Sequence, residues 1–324
     1  LNIRVKNTLN ILAKIAIVVL VLYFVYKKLH NNSSLKPFKD LINDLNGWNR
    51  VLILSGMLIL MLVNWLLECA KWQYLCQKVE HLSFWKSIQS VFCGLSMAIF
   101  TPNRLGEYGG RVMFLSPRKR IFGVVAMGVG ALAQFVVTNF LGAIACAWFL
   151  IANLGAKGWI ALLVALASSL AAAFFPLLYF HVRLIEKYLQ RFPFMKKINR
   201  FLTLLERYSK RELATVLLYS VCRYVVFSSQ YFILFMVLIP DINKLYVLTT
   251  IFLLFFIQSA LPSLDLLDVG VRSLTASYIF GFITDQEVTV MAIVAFIWFV
   301  NLILPAILGA GFVFKINFFA STNR

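Results

Sequence analysis

Long apolar runs alternate along this chain with short charged or Pro- and Gly-broken segments, and the run lengths predict its elements. The runs 11–26, 51–67, 121–154, 159–180, 214–239 and 288–314 approach or exceed the ~20 apolar residues that carry a helix across a bilayer. Two runs are shorter: 88–100, which leads into Thr101-Pro102-Asn103, and 245–260, which stops just before Pro262. Charged, broken segments follow both. They predict helical hairpins over 87–117 and 245–283 that enter the membrane and turn back at Pro102 and Pro262. Phe38, Leu41, Ile42, Leu45 and Trp48 recur at helical spacing and predict an interfacial helix over 37–48. Gly123, Ala126, Gly128 and Gly130 form a small-residue face suited to close helix packing. The pattern predicts an all-α integral membrane protein with about six spanning helices and two re-entrant helical hairpins, forming one transmembrane domain over 1–324.

Composition agrees. Hydrophobic residues make up 61% and mean hydropathy is +0.84, against the roughly 45–50% apolar content of soluble domains. No small-residue cleavage site follows the first run, so it reads as a retained helix rather than a signal peptide. The formal charge of +18 raises the question of nucleic acid, but nine of the 31 Lys and Arg fall in the single loop 183–211. That clustering is the positive-inside signal. It points to anionic inner-leaflet lipid as the partner of this loop and away from nucleic acid. Ile198, Phe201, Leu202, Leu205 and Tyr208 predict an amphipathic helix within the same loop. With this loop in the cytoplasm, cytoplasmic segments hold 22 Lys and Arg and external ones seven, and both termini are cytoplasmic. The first hairpin then enters from the cytoplasm and the second from outside. The unit 51–154 is therefore repeated upside down over 214–314, and inverted repeats with broken helices are a recurring transporter plan.

Candidate chemistry sits at the two broken segments. Glu107 precedes Arg111 by four residues, and Asp268 precedes Arg272 by four; on a helix each acid shares a face with its base. This spacing also serves a purely structural pair. In a functional reading, Arg104, Arg111 and Arg272 bind a lipid phosphate through the guanidinium fork. Glu107, Asp265 and Asp268 carry a proton, repel the wrong head group or hold the arginines. The hairpin tips, Pro102, Asn103, Gly106 and Pro262, place helix N-termini where an anion can bind, with Asn103 or Ser263 as caps. Arg223 lies deep in its span and needs an acid or a ligand, for which Glu107 and Asp268 are the natural candidates. Glu68 reads as interfacial, at the cytoplasmic end of its helix. Asn64, Gln134, Asn139, Gln230, Gln258 and Asn301 either line a polar path or bridge neighbouring helices. The five Cys and three His show no metal-ligand spacing, and the chain carries no nucleophile elbow, HExxH or phosphate-binding Gly loop. No metal or cofactor is expected.

Through Pro102, Gly106, Glu107 and Arg111 the chain resembles the lysylphosphatidylglycerol synthase transmembrane-region family, whose members are also called flippase-like domain proteins. The resemblance runs over nearly the whole chain in the length and order of its apolar segments. In a second motif the family usually has a Pro, a Gly-rich turn and then an acid. Here Pro262 is kept, but Leu264-Asp265-Leu266-Leu267 replaces the glycines. The resemblance implies a lipid-translocating domain. In bifunctional members that domain moves an aminoacylated phospholipid made by a fused synthase domain. This chain shows no synthase domain and is not expected to make the lipid.

Together these readings lead to an expected function. The chain is expected to flip a lipid with a polar, phosphate-containing head group across the bacterial inner membrane, without being an enzyme. Two other readings stay open: a membrane-embedded head-group transferase, and a non-catalytic scaffold in an envelope-lipid pathway. Self-association into a homo-oligomer stays open as well.

Overall fold

The structure is a computed structural model and describes residues 3–30, 35–43, 45–99, 101, 104–153, 158–181, 204–260 and 268–316. Among these the fold is helical, without strands. Its helices are α1 (Ile3–His30), α2 (Leu35–Asn43), α3 (Gly47–Cys76), α4 (Phe84–Ala98), α5 (Leu105–Val112), α6 (Arg120–Asn153) and α7 (Trp159–Phe180), followed by α8 (Lys210–Leu238), α9 (Lys244–Ala260), α10 (Asp268–Phe280), α11 (Glu287–Trp298) and α12 (Leu304–Val313). A π-helical segment, Phe299–Ile303, joins α11 to α12. Six stretches are long and apolar enough to cross a membrane: Thr8–Lys27, Gly47–Cys76, Pro117–Ala152, Leu162–Phe180, Lys210–Leu238 and Glu287–Val313. These are the six expected spans, so the chain is an all-α multi-pass membrane protein. One boundary differs materially: α3 continues past the apolar run, through Glu68 and Lys71, to Cys76.

Local chemistry starts the helices. Ser209 accepts from the backbone N–H of Glu212 at 3.3 Å, and the Glu212 carboxylate accepts from the Ser209 N–H at 2.9 Å, a reciprocal capping box for α8. Ser83 caps α4 through the Lys86 N–H at 3.3 Å. Within α11–α12, Pro305 offers no N–H to the Asn301 carbonyl four residues earlier, and Trp65 Nε1 of α3 donates to that carbonyl at 3.2 Å.

The two halves are laced together by their short helices. Helix α4 lies on α12, where a Cβ on Gly309 would meet the Phe92 carbonyl oxygen at 1.9 Å and Ser96 Oγ donates to the Ala306 carbonyl at 2.6 Å. Helix α9 lies on α6, where a Cβ on Gly142 would meet Phe256 Cβ at 2.3 Å. Helix α4 thus packs against the end of the last span and α9 against α6, in each case over a glycine. Helices α3 and α8 pack side by side between them, and Gln230 Nε2 donates to the Met57 carbonyl at 3.1 Å. Helices α1 and α7 lie at the periphery, with large apolar side chains such as Leu12, Tyr23, Leu162 and Leu170 exposed.

Helices α4 and α5 form a hairpin by themselves. A Cβ on Gly110 would sit 2.7 Å from Gly94 Cα, and one on Gly106 would sit 2.1 Å from the Met97 carbonyl oxygen. Only glycine permits this approach.

Two local expectations need correction, and a third lies mostly outside the described residues. The helix expected to float at the interface over 37–48 ends at Asn43 and buries Phe38 and Ile42 against α11, with Phe38 stacked on Phe296 at 3.8 Å. Trp48 belongs to α3 and is exposed. Of the small residues on α6, Gly123, Ala126 and Gly130 face neighbours, but Gly128 faces open space. The amphipathic helix expected at 198–208 falls mostly outside the described residues. Its described end is a short turn, Leu205–Arg207, after which Tyr208 Oη donates to the Leu75 carbonyl at 3.0 Å.

The hairpin contact is directly testable. Gly106→Ala is expected to cost about 1–3 kcal/mol through overpacking. Gly109→Ala, which meets nothing within 4 Å, is expected to be neutral or slightly stabilising. Thermal unfolding of the two variants in detergent separates them; equal melting temperatures would remove the close contact.

Candidate functional site

The site is built where α3, α5 and α8 meet. On α5, Glu107 and Arg111 lie four residues apart and form the expected pair, Arg111 Nη2 donating to Glu107 Oε1. The other Glu107 oxygen, Oε2, accepts from Arg104 Nη2 at 3.0 Å. Arg111 then turns its second nitrogen inward, and Nη1 donates to Glu68 Oε1 at 2.6 Å. Glu68 Oε2 takes two more cations: Lys71 Nζ of the same helix at 2.8 Å, and Arg223 Nη1 of α8. Arg223 Nε donates to Asn64 Oδ1 at 3.1 Å, and its guanidinium lies 5.3 Å from the Trp65 ring centroid, a cation–π contact.

This network overturns two expectations. Glu68 is not interfacial; it is only 6% exposed and joins three helices. It, rather than Glu107, is the acid that pairs with Arg223 among the described side chains. The signal missed was helical register. Asn64, Glu68 and Lys71 recur at four and three residues, so they share one face even though the apolar run stops at Leu67. Lys71 and Arg111 therefore leave the cytoplasmic charge tally for the interior.

The tip of the first hairpin is described at Thr101 and Arg104. Arg104 precedes α5 in a left-handed conformation, with φ 56° and ψ 27°, which a non-glycine residue adopts at a cost of about 1–2 kcal/mol. Thr101 caps the turn from the other side: its Oγ1 accepts from the Gly106 N–H at 2.7 Å. Pro102, Asn103, Pro262, Ser263 and Asp265 lie outside the described residues, as does the side chain of Asp268 at the start of α10. Arg272, on α10, donates to Gln258 Oε1 at 3.1 Å and lies apart from the Glu68 network.

The network opens on a cavity of about 410 Å³ lined by Glu68, Lys71, Arg104, Glu107, Arg111 and Arg223, among others. A second cavity, of about 340 Å³, shares Arg104, Gln134, Thr138, Arg223 and Ser259 with the first and extends to Arg272. Four cations and two carboxylates line the first cavity among the described residues, so it carries two uncompensated positive charges. Arg104 Nε and Arg111 Nε are buried without an acceptor there. Such a site favours an anion whose several oxygens can accept from guanidinium forks.

The model of the family described as "Lysylphosphatidylglycerol synthase TM region" matches residues 11–309. The chain belongs to this family. Membership makes it a multi-pass membrane protein of lipid metabolism or translocation. No curated protein and no solved structure matches the chain.

Glu68 gives the prediction for this site. Removing its charge by Glu68→Gln leaves three cations without their shared acid, and a loss of about 3–5 kcal/mol is expected. Adding Lys71→Met removes one of those cations. The double variant is then expected to be more stable than the sum of the single losses by about 0.5–3 kcal/mol. Thermal unfolding of the four proteins checks the coupling, and additive losses would deny it.

Proposed function

We propose that this family member flips a lipid with a phosphate-bearing head group across the bacterial inner membrane. The observation that carries the reading is the surplus positive charge of the buried cavity among α3, α5 and α8. Positive charge away from water is unfavourable unless it is paired. A phosphate supplies both the charge and the acceptors. Its head group enters between Arg104 and Arg111 while the acyl chains stay in lipid. Glu107 holds both arginines in the resting state and yields them as the phosphate arrives. Glu68 keeps Arg111 and Arg223 in place throughout. Arg272 takes part further along the path, in the second cavity. The reading is of a transporter rather than an enzyme, with both termini in the cytoplasm and the basic loop 183–211 on anionic inner-leaflet lipid.

The transport path in this proposal uses an inverted repeat of 51–154 and 214–314, with re-entrant hairpins over 87–117 and 245–283. The exchanged packing of α4 on α12 and α9 on α6 supports it, because related halves make related contacts.

Liposomes that contain only this protein, loaded with labelled phospholipids and polyprenyl-phosphate lipids, test the function. Wild type is expected to move at least one phosphate lipid, and Glu107→Gln or Arg111→Ala to lower the rate at least about tenfold. Each charged hydrogen bond lost is worth about 1.5–3 kcal/mol. Arg104→Gly is the sharpest variant. It relieves the left-handed backbone, so the protein is expected to be as stable as wild type or more so, yet slower in transport. Transport unchanged in all three variants would remove the hairpin from the mechanism. For the topology, cysteines placed by Pro102→Cys and Pro262→Cys are expected to be labelled from opposite sides of the membrane. Labelling from one side would end the inverted-repeat proposal.

A further inference from the structure

The second cavity has a chemistry of its own that phosphate binding does not use. Its wall is aromatic. Tyr224, Phe227 and Tyr231 recur at three and four residues on one face of α8 and close around Phe255 of α9, with ring centroids 5.6, 5.2 and 5.2 Å from it. Trp65 and Trp298 complete the lining. Set into this wall are buried polar atoms with no hydrogen-bond partner among the described residues: Tyr224 Oη, Gln258 Nε2, Gln134 Oε1 and Asn301 Oδ1. Tyr224 and Asn301 are only 4% and 7% exposed. These atoms mix donors and acceptors.

We propose that this cavity is a subsite for a neutral, hydroxyl-rich ring, a sugar or cyclitol, attached to the lipid beyond its phosphate. The inference rests on the phosphate reading of the neighbouring cavity and extends it. Three arguments select this occupant. Hydroxyl groups both donate and accept, so they answer a mixed set of unmet amide and phenol atoms, while the C–H face of such a ring packs on aromatic side chains. An acyl chain would leave those polar atoms unsatisfied, each at a cost of about 1–3 kcal/mol. A cationic head group, such as an aminoacyl ester, meets Arg104, Arg223 and Arg272 and no carboxylate among the described lining residues. Cation–π binding is no alternative at Trp65, because Arg223 already stands over that ring at 5.3 Å. Position agrees with chemistry. Arg104 lines both cavities, so a phosphate held between Arg104 and Arg111 places the next group of the lipid at the mouth of the aromatic chamber.

Equilibrium binding to the purified full chain tests the subsite separately from transport. Two lipid pairs differ only by a hexose: polyprenyl phosphate against hexosyl-phosphoryl polyprenol, and diacylglycerol against hexosyl diacylglycerol. Lysylphosphatidylglycerol is the cationic probe. The hexose is expected to tighten binding about tenfold in both pairs, the equivalent of one or two net hydrogen bonds. Tyr224→Phe combined with Gln258→Leu is expected to reduce that ratio to about twofold or less. No hexose effect in either pair overturns the proposal, and so does tighter binding of lysylphosphatidylglycerol than of the hexosyl lipids. The wild-type ratios decide the matter by themselves should the double variant not fold. If polyprenyl phosphate fails to bind while the diacylglycerol pair still shows the hexose effect, the phosphate reading falls and the sugar subsite stands.

Discussion

The interior of this protein depends on one carboxylate. Glu68 accepts from Lys71, Arg111 and Arg223, and in doing so it fixes α3, α5 and α8 to one another. A carboxylate or an ammonium buried alone is strongly unfavourable, so the acid and its three bases stabilise one another. Arg223 lies about 20 Å along α8 from Lys210, too far to reach water at either end with ease. Its position is possible because α3 brings Glu68 and Asn64 to meet it. The network holds more positive than negative charge, so the same contacts that join the helices leave an attraction for an anion.

Close helix contact is the second requirement, and glycine supplies it. The α4–α5 hairpin brings two backbones together at Gly94, Gly106 and Gly110, which sets α5 deep enough for Arg111 to reach α3. A Cβ on Gly94 would strike Arg111 Cγ at 2.8 Å, so the glycine contact and the charged network are one piece of construction. The same device at Gly309 and Gly142 fastens each short helix to the opposite half. In a bilayer there is little hydrophobic force between helices, and close packing of this kind takes over that role.

Much of this was legible in the chain. Run lengths predicted the six spans and the two short helices, because a bilayer imposes length on any segment that crosses it. The Glu107–Arg111 pair followed from helical spacing, and Arg223 announced that it needed an acid. The identity of that acid was not legible. Glu68 lies just beyond an apolar run, and hydropathy alone cannot show that α3 continues for eight residues more inside the protein. The fate of amphipathic segments was hidden for a related reason. The apolar face of α2 suits a lipid interface as well as it suits Phe296, and only the fold decides between them. The contact at the hairpin tip depends on backbone geometry: with Arg104 left-handed, Thr101 reaches the free N–H of Gly106, which spacing alone does not show.

The left-handed Arg104 connects these threads. Glycine would occupy that conformation without strain, yet the position carries a guanidinium. Its contact is Glu107, whose two oxygens are divided between Arg104 and Arg111. A phosphate presents more oxygens than a carboxylate and forms the same forked contacts with both arginines. In the proposed cycle the arriving head group therefore competes with Glu107 for these two partners. Arg111 keeps its bond to Glu68 through its other nitrogen, so the exchange does not release the helix. Arg104, half exposed at the strained tip, has no such second anchor among the described residues. The competition is then felt first at Arg104 and last at Glu68, so ligand binding frees the Arg104 end of α5 while the charge network holds its base.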